Sequence, residues 1–120
     1  MNAEKSKLPS QFYVSITGLQ PKGIFGMILF WRYAIPSKIQ ADKAVGLLVS
    51  EVKKINGIQH TLTVWKNKEA MSAYIYSGSH LKAIKVFRRI ATGKTFGYTS
   101  SQIPTWPEVH QLWLEKGSTY

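Results

Sequence analysis

Gly46-Leu47-Leu48-Val49-Ser50-Glu51-Val52-Lys53-Lys54-Ile55-Asn56-Gly57-Ile58-Gln59-His60-Thr61-Leu62-Thr63-Val64-Trp65-Lys66 is the stretch from which the fold follows. Asn-Gly supplies the two positive-φ residues that a type I′ turn demands, and both flanks are rich in β-branched residues. The reading is a hairpin of strands over residues 46–55 and 58–66. Upstream, Phe12, Val14 and Ile16 alternate with Tyr13, Ser15 and Thr17, the period of two that marks a half-buried strand over residues 12–18. Between that strand and the hairpin, Ile24 to Ala44 reads as a helix whose opening stretch is apolar on every face. Pro36 lacks an N–H and crowds the preceding turn, so a kink or a break before Ser37 is expected.

Downstream of the hairpin, Asn67 caps a helix over Lys68 to Tyr76, and Ser77-Gly78-Ser79 interrupts it before a second segment from His80 to Ile90. A fourth strand follows over Gly93 to Ser101. Thr105-Trp106-Pro107-Glu108 then combines a hydroxyl cap, an early proline and a carboxylate three residues on, opening a terminal helix that carries Val109, Leu112 and Trp113. The order β-α-β-β-α-β plus a helix is the ferredoxin-like plan, an α+β class with helices on one face of an antiparallel sheet. Leu47, Leu48, Leu62, Val64, Trp65, Phe96 and Tyr98 make both strand faces apolar. A bare face of that kind is expected to pair with a second copy as a two-fold dimer.

The chain has 120 residues, which is one domain, read as residues 12–120 behind a polar tail over residues 1–11. Fifteen aromatics and 44% hydrophobic residues exclude disorder. Cysteine is absent, which removes disulfides, thiolate metal sites and a cysteine nucleophile. The polar start lacks the apolar run of a secretory signal and points to the cytoplasm. Sixteen basic against six acidic residues give a net charge of +10 and an attraction to polyanions.

His60-Thr61-Leu62-Thr63-Val64-Trp65-Lys66-Asn67-Lys68-Glu69-Ala70-Met71-Ser72-Ala73-Tyr74 resembles the strand-to-helix core of the antibiotic-biosynthesis-monooxygenase-like dimeric α+β barrel proteins. Ser77-Gly78-Ser79-His80 and residues 103–110 are similar to a branch of that superfamily related to spheroidene monooxygenase. The resemblance implies a homodimer with a small-molecule pocket between helices and sheet, on a frame shared by oxygenases, haem-degrading enzymes and plain binders. Its haem-degrading members use an Asn in the first strand, a Trp in the second helix and a His beyond. Aligned on Thr63-Val64-Trp65, those positions fall near Thr17, at Tyr74 and at Ile84, so that set is not kept.

Among the residues themselves, His80 stands at a helix start, where the dipole disfavours imidazolium and keeps a neutral ring as base or ligand. Trp65, Tyr74 and Tyr76 are placed to form an aromatic wall beside it, with residues of the first helix. Against this stands the plainer reading, a locally capped His and ordinary core aromatics. Arg32, next to Trp31, either clamps a ligand carboxylate or phenolate, or lays its stem on the surface. His60 and His110 show no metal-ligand spacing, so no metal site is expected. Lys82, Lys85, Arg88 and Arg89 form a basic helix stripe, while the absence of any recognised nucleic-acid module argues against that partner. The apolar run over residues 23–35 falls short of the roughly 18 residues needed to span a bilayer, though a surface-lying arrangement on anionic lipid is open to it. The function expected is oxygenation of a lipophilic aromatic or polyene compound, cofactor-free or haem-assisted. The alternatives are a non-catalytic binder of such a compound or of haem, and a basic nucleic-acid or membrane-surface binder.

Overall fold

The computed structural model describes residues 9–119, so most of the polar tail read over residues 1–11 lies outside the described residues. The elements are β1 (Phe12–Pro21), α1 (Gly23–Asp42), β2 (Leu47–Ile55), β3 (Ile58–Trp65), α2 (Lys68–Ile75), α3 (Gly78–Ile90), β4 (Ala91–Ser100), α4 (Trp106–Lys116) and β5 (Ser118–Thr119). The sheet order is β2-β3-β1-β4-β5 with every neighbouring pair antiparallel, the ferredoxin-like arrangement plus a short edge strand.

The local signals act as their chemistry requires. Asn56 and Gly57 sit at φ 51° and 81° in the β2–β3 turn. Asn67 Oδ1 accepts from the Ala70 amide at 2.9 Å, and Thr105 and Glu108 close a reciprocal capping box at the start of α4. Pro36 does not break α1, which is one helix of 20 residues. The missing N–H removes one backbone bond, while Ser37 Oγ donates to the Tyr33 carbonyl at 3.0 Å and Phe30, Ser37 and Ala41 stay buried. One lost bond against a docked face leaves the helix continuous.

The strand alternation divides the sheet into two faces. Val14, Ile16, Leu62 and Val64 point one way and are fully buried or nearly so, packed with Phe12 under Val109 and Trp113 of α4. The face expected to be bare is thus covered in part within the chain: α4 closes over the β1 and β3 positions, while Phe96 and Tyr98 of β4 stay half-buried. Gly18 makes the approach of α4 possible: a Cβ there would run into the Trp113 indole and the His60 ring. On the opposite face lie α1, α2 and α3. Phe30 of α1 meets Phe87 of α3 with ring centroids 5.0 Å apart. Among the described residues no helix is long and apolar enough to cross a membrane.

Candidate functional site

Between the sheet and its helix layer lies a cavity of about 460 Å³. Its floor is made mainly of hydroxyls. The register sets Ser50, Thr63 and Ser15 in one cross-strand row and Val52, Thr61, Thr17 and Thr95 in the next. All seven line the cavity. Its walls are apolar: Phe30, Trp31, Ile35 and Ile39 from α1, Met71, Tyr74 and Ile75 from α2, and Ile84 and Phe87 from α3. A volume within the ordinary range for small-molecule sites, with apolar walls and polar groups on one side, suits a lipophilic compound held by a few oriented hydrogen bonds. The hydroxyl floor is what the sequence reading missed. Ser15 and Thr17 read only as the polar side of a half-buried strand, and matching the parity of Ser and Thr across the strands is what shows them gathered.

Four of the six residues singled out from the sequence line the cavity: His80, Tyr74, Tyr76 and Trp31. Trp65 lies one layer behind, fully buried, with its ring stacked on Tyr74 at 5.2 Å and its Nε1 donating to Thr63 Oγ1 at 2.8 Å. Arg32 is exposed on the outer side of α1 and takes no part in the lining. The Tyr74 ring is thus held between Trp65 and His80, the latter 4.5 Å away, and its hydroxyl donates to the Ser37 carbonyl at 2.9 Å. Tyr76 is 72% exposed, so it stands at the mouth.

His80 is fixed from two sides. Its backbone amide donates to Gln40 Oε1 at 2.9 Å, while Gln40 Nε2 donates to the Ser77 carbonyl at 3.0 Å and to Ser77 Oγ at 3.1 Å. A single α1 side chain therefore clamps the α2–α3 junction, and Gly78 at φ +54° leaves the room it needs. The ring Nδ1 lies 3.3 Å from the Ile75 carbonyl. A carbonyl only accepts, so Nδ1 carries the proton and Nε2 the lone pair. Burial pushes the His80 pKa below its ordinary 6.5, against the smaller opposing pull of the Ile75 carbonyl. The result is a neutral imidazole at pH 7 with a basic nitrogen.

Thr17, Tyr74 and Ile84, the positions where haem-degrading relatives of this fold would carry Asn, Trp and His, all line this same cavity. None of them is an imidazole. Were a haem held here, His80 would be the side chain to offer it a nitrogen ligand and the Arg88 guanidinium at the lining would pair with its carboxylates. Among the described residues no group of three or more His, Cys, Asp or Glu could hold a metal ion.

The five-stranded antiparallel sheet, its helix layer and the cavity between them define an α+β, ferredoxin-like fold shared with antibiotic-biosynthesis-monooxygenase-like proteins. Three solved structures illustrate the likeness. SnoaB, a cofactor-independent oxygenase from Streptomyces nogalater, superposes with a TM-score of 0.63 at 13% identity, over 83% of this chain and 100% of SnoaB. A candidate antibiotic biosynthesis monooxygenase from Nitrosomonas europaea gives 0.66 at 11% identity, over 80% of this chain and 94% of that one. A conserved Bacteroides thetaiotaomicron protein of unknown function, described as a possible oxidoreductase, gives 0.66 at 9% identity over 77% and 100%. No protein-family model and no curated protein sequence matches the chain.

Proposed function

We propose that this chain is a monooxygenase-like protein that takes a lipophilic aromatic or polyene compound into the cavity, with His80 as the base. The carrying observation is a neutral imidazole, locked in one tautomer on the Trp65–Tyr74 stack, at the wall of a cavity of about 460 Å³. The base favours the aromatic member of the pair. A phenol or an activated methylene has a proton for Nε2 to take, and a polyene has none. An activated methylene loses that proton, and its carbanion adds dioxygen with one-electron transfer followed by radical combination. The peroxide anion recovers the proton from His80, and loss of water leaves a ketone. One oxygen atom of O2 ends in product and the other in water. SnoaB, a cofactor-independent oxygenase of the same fold, supports this reading.

The test is oxygen uptake with a panel of aromatic compounds bearing acidic methylenes. The expected result is uptake that falls at least tenfold in His80→Gln, while binding of an anilinonaphthalene sulfonate probe in the cavity persists. Uptake unchanged in the variant removes His80 as base. The second reading, a non-catalytic carrier of such a compound or of haem, rests on the same lone pair. It predicts a haemin Soret shift that disappears in His80→Ala. A homodimer, closed over Phe96, Tyr98 and the other strand positions that α4 leaves half-covered, belongs to this proposal. A sedimentation mass near 13.6 kDa removes it.

A further inference from the structure

The outer side of α1 is apolar where a surface helix is ordinarily polar. Ile24, Phe25, Ile28, Trp31, Ile35 and Ile39 are between 41% and 79% exposed. From Ile24 to Ile39 this ridge runs about 22 Å along the helix. Beside it, α3 exposes Lys82, Lys85, Arg88 and Arg89, while Arg32 stands within the ridge and Lys22 and Lys43 at its two ends. The sole acid on α1 and α3 is Asp42, already paired with Lys38 at 2.6 Å.

We propose that this juxtaposition of an apolar ridge and an unbalanced basic stripe is a docking surface for an anionic lipid bilayer. The charge pattern decides the occupant. A second copy seated through α1 would bring two basic layers together, with one already engaged acid on each to offset them. An anionic bilayer offers apolar depth to the ridge and phosphate or carboxylate headgroups to the lysines and arginines. Arg32 reaches headgroups from within the ridge by extending its stem. Trp31, Ile35 and Ile39 belong both to the ridge and to the cavity wall, and Arg88 to both the stripe and the wall. A lipophilic substrate dissolved in the bilayer therefore reaches the cavity along a continuous apolar surface. This last step rests on the proposed function, whereas docking itself does not.

The experiment is flotation with vesicles of pure phosphatidylcholine and with vesicles in which roughly one-third of the lipid is phosphatidylserine. The protein is expected to float with the anionic vesicles, less so as salt rises, and poorly with the neutral ones. The triple variant Lys82→Gln, Lys85→Gln, Arg89→Gln should lose roughly a hundredfold in affinity. Phe25→Glu with Ile28→Glu should abolish flotation while circular dichroism stays unchanged, since both side chains are exposed. His80→Gln should float like the parent, so failure of catalysis and failure of docking are read separately. Equal binding to neutral and anionic vesicles, or none to either, overturns the proposal. So does a solution oligomer whose mass drops in the Phe25→Glu, Ile28→Glu variant, because the ridge is then an interface between copies.

Discussion

The two faces of the sheet are made by the same strands and serve opposite ends. On one, Val14, Ile16, Leu62 and Val64 close under α4 with exposures of 0–1%. On the other, Ser15, Thr17, Thr61, Thr63 and Thr95 hold the helices off and leave a cavity. Branched apolar side chains fill space to crystal-like density, whereas short hydroxyl side chains leave room and want partners. Each face also holds a histidine with a lowered pKa. His60 on the dry face is locked into structure: it lies 3.1 Å from the Thr17 carbonyl and 2.8 Å from His110 Nδ1. The carbonyl accepts a hydrogen bond from His60 Nδ1–H, so His60 Nε2 accepts from His110 Nδ1–H and has no lone pair to spare. His80 lines the cavity on the other face, and among the described residues no hydrogen bond engages its Nε2. The same residue type is structural on one side and chemically available on the other, and the difference is what the second nitrogen meets.

Breaking the dry face should have the largest effect. Trp113 is 7% exposed, meets the His60 ring edge-on at 5.0 Å and donates Nε1 to the Lys94 carbonyl at 2.9 Å. Trp113→Ala is expected to cost about 3–5 kcal/mol in denaturant unfolding. A loss under about 1 kcal/mol would mean that α4 is a loose cover and that the contrast between the faces is overstated.

Acid should come next. Burial lowers the pKa of both His60 and His80, with the neighbouring His110 adding a smaller push in the same direction at His60. The unfolded chain therefore takes up protons at pH values where the folded one does not, and stability falls as pH drops below about 6.5. The slope can reach about 1.4 kcal/mol per pH unit for each such group. His60→Gln should flatten its share of the slope whether or not the cavity is filled, while an anionic cavity ligand that accepts a hydrogen bond from the His80 imidazolium raises the His80 pKa and should reduce or reverse the share owed to His80. A slope that does not change on filling the cavity would put the two histidines in one class.

Much of this frame is legible in the sequence, and the reasons are local. Asn56-Gly57, Asn67 and the Thr105–Glu108 box satisfy or shape backbone within four residues, so their effect needs no knowledge of what lies across the fold. Pro36 shows the limit, because whether a missing bond breaks a helix depends on tertiary docking that the local rule omits. What α4 covers was equally hidden: Val109, Leu112 and Trp113 announce an apolar face without saying which sheet face receives it. At the site, the convergence of Tyr74 with His80 could be anticipated because only six positions separate them. Gln40, 40 positions upstream of His80, carries no signal of its role as the clamp. The same holds for Ser50, whose neighbours across the sheet are set by register alone.

Ser50 gives the smallest expected effect and the finest probe of the comparison. Its Oγ is shut off from solvent and hydrogen-bonds nothing, alone in this among buried side-chain polar atoms of the described residues. An unpartnered hydroxyl of this kind costs stability, so Ser50→Ala should be neutral or stabilise the empty protein by up to about 1 kcal/mol. On the dry face a polar orphan would be a packing fault. At the cavity floor this Oγ is out of reach of a water-sized probe, so a cavity ligand should bind the Ser50→Ala variant as tightly as the parent while the variant itself is no less stable. A variant that binds a cavity ligand roughly threefold to tenfold more weakly than the parent would show that the floor opens on binding and that this hydroxyl reads what enters.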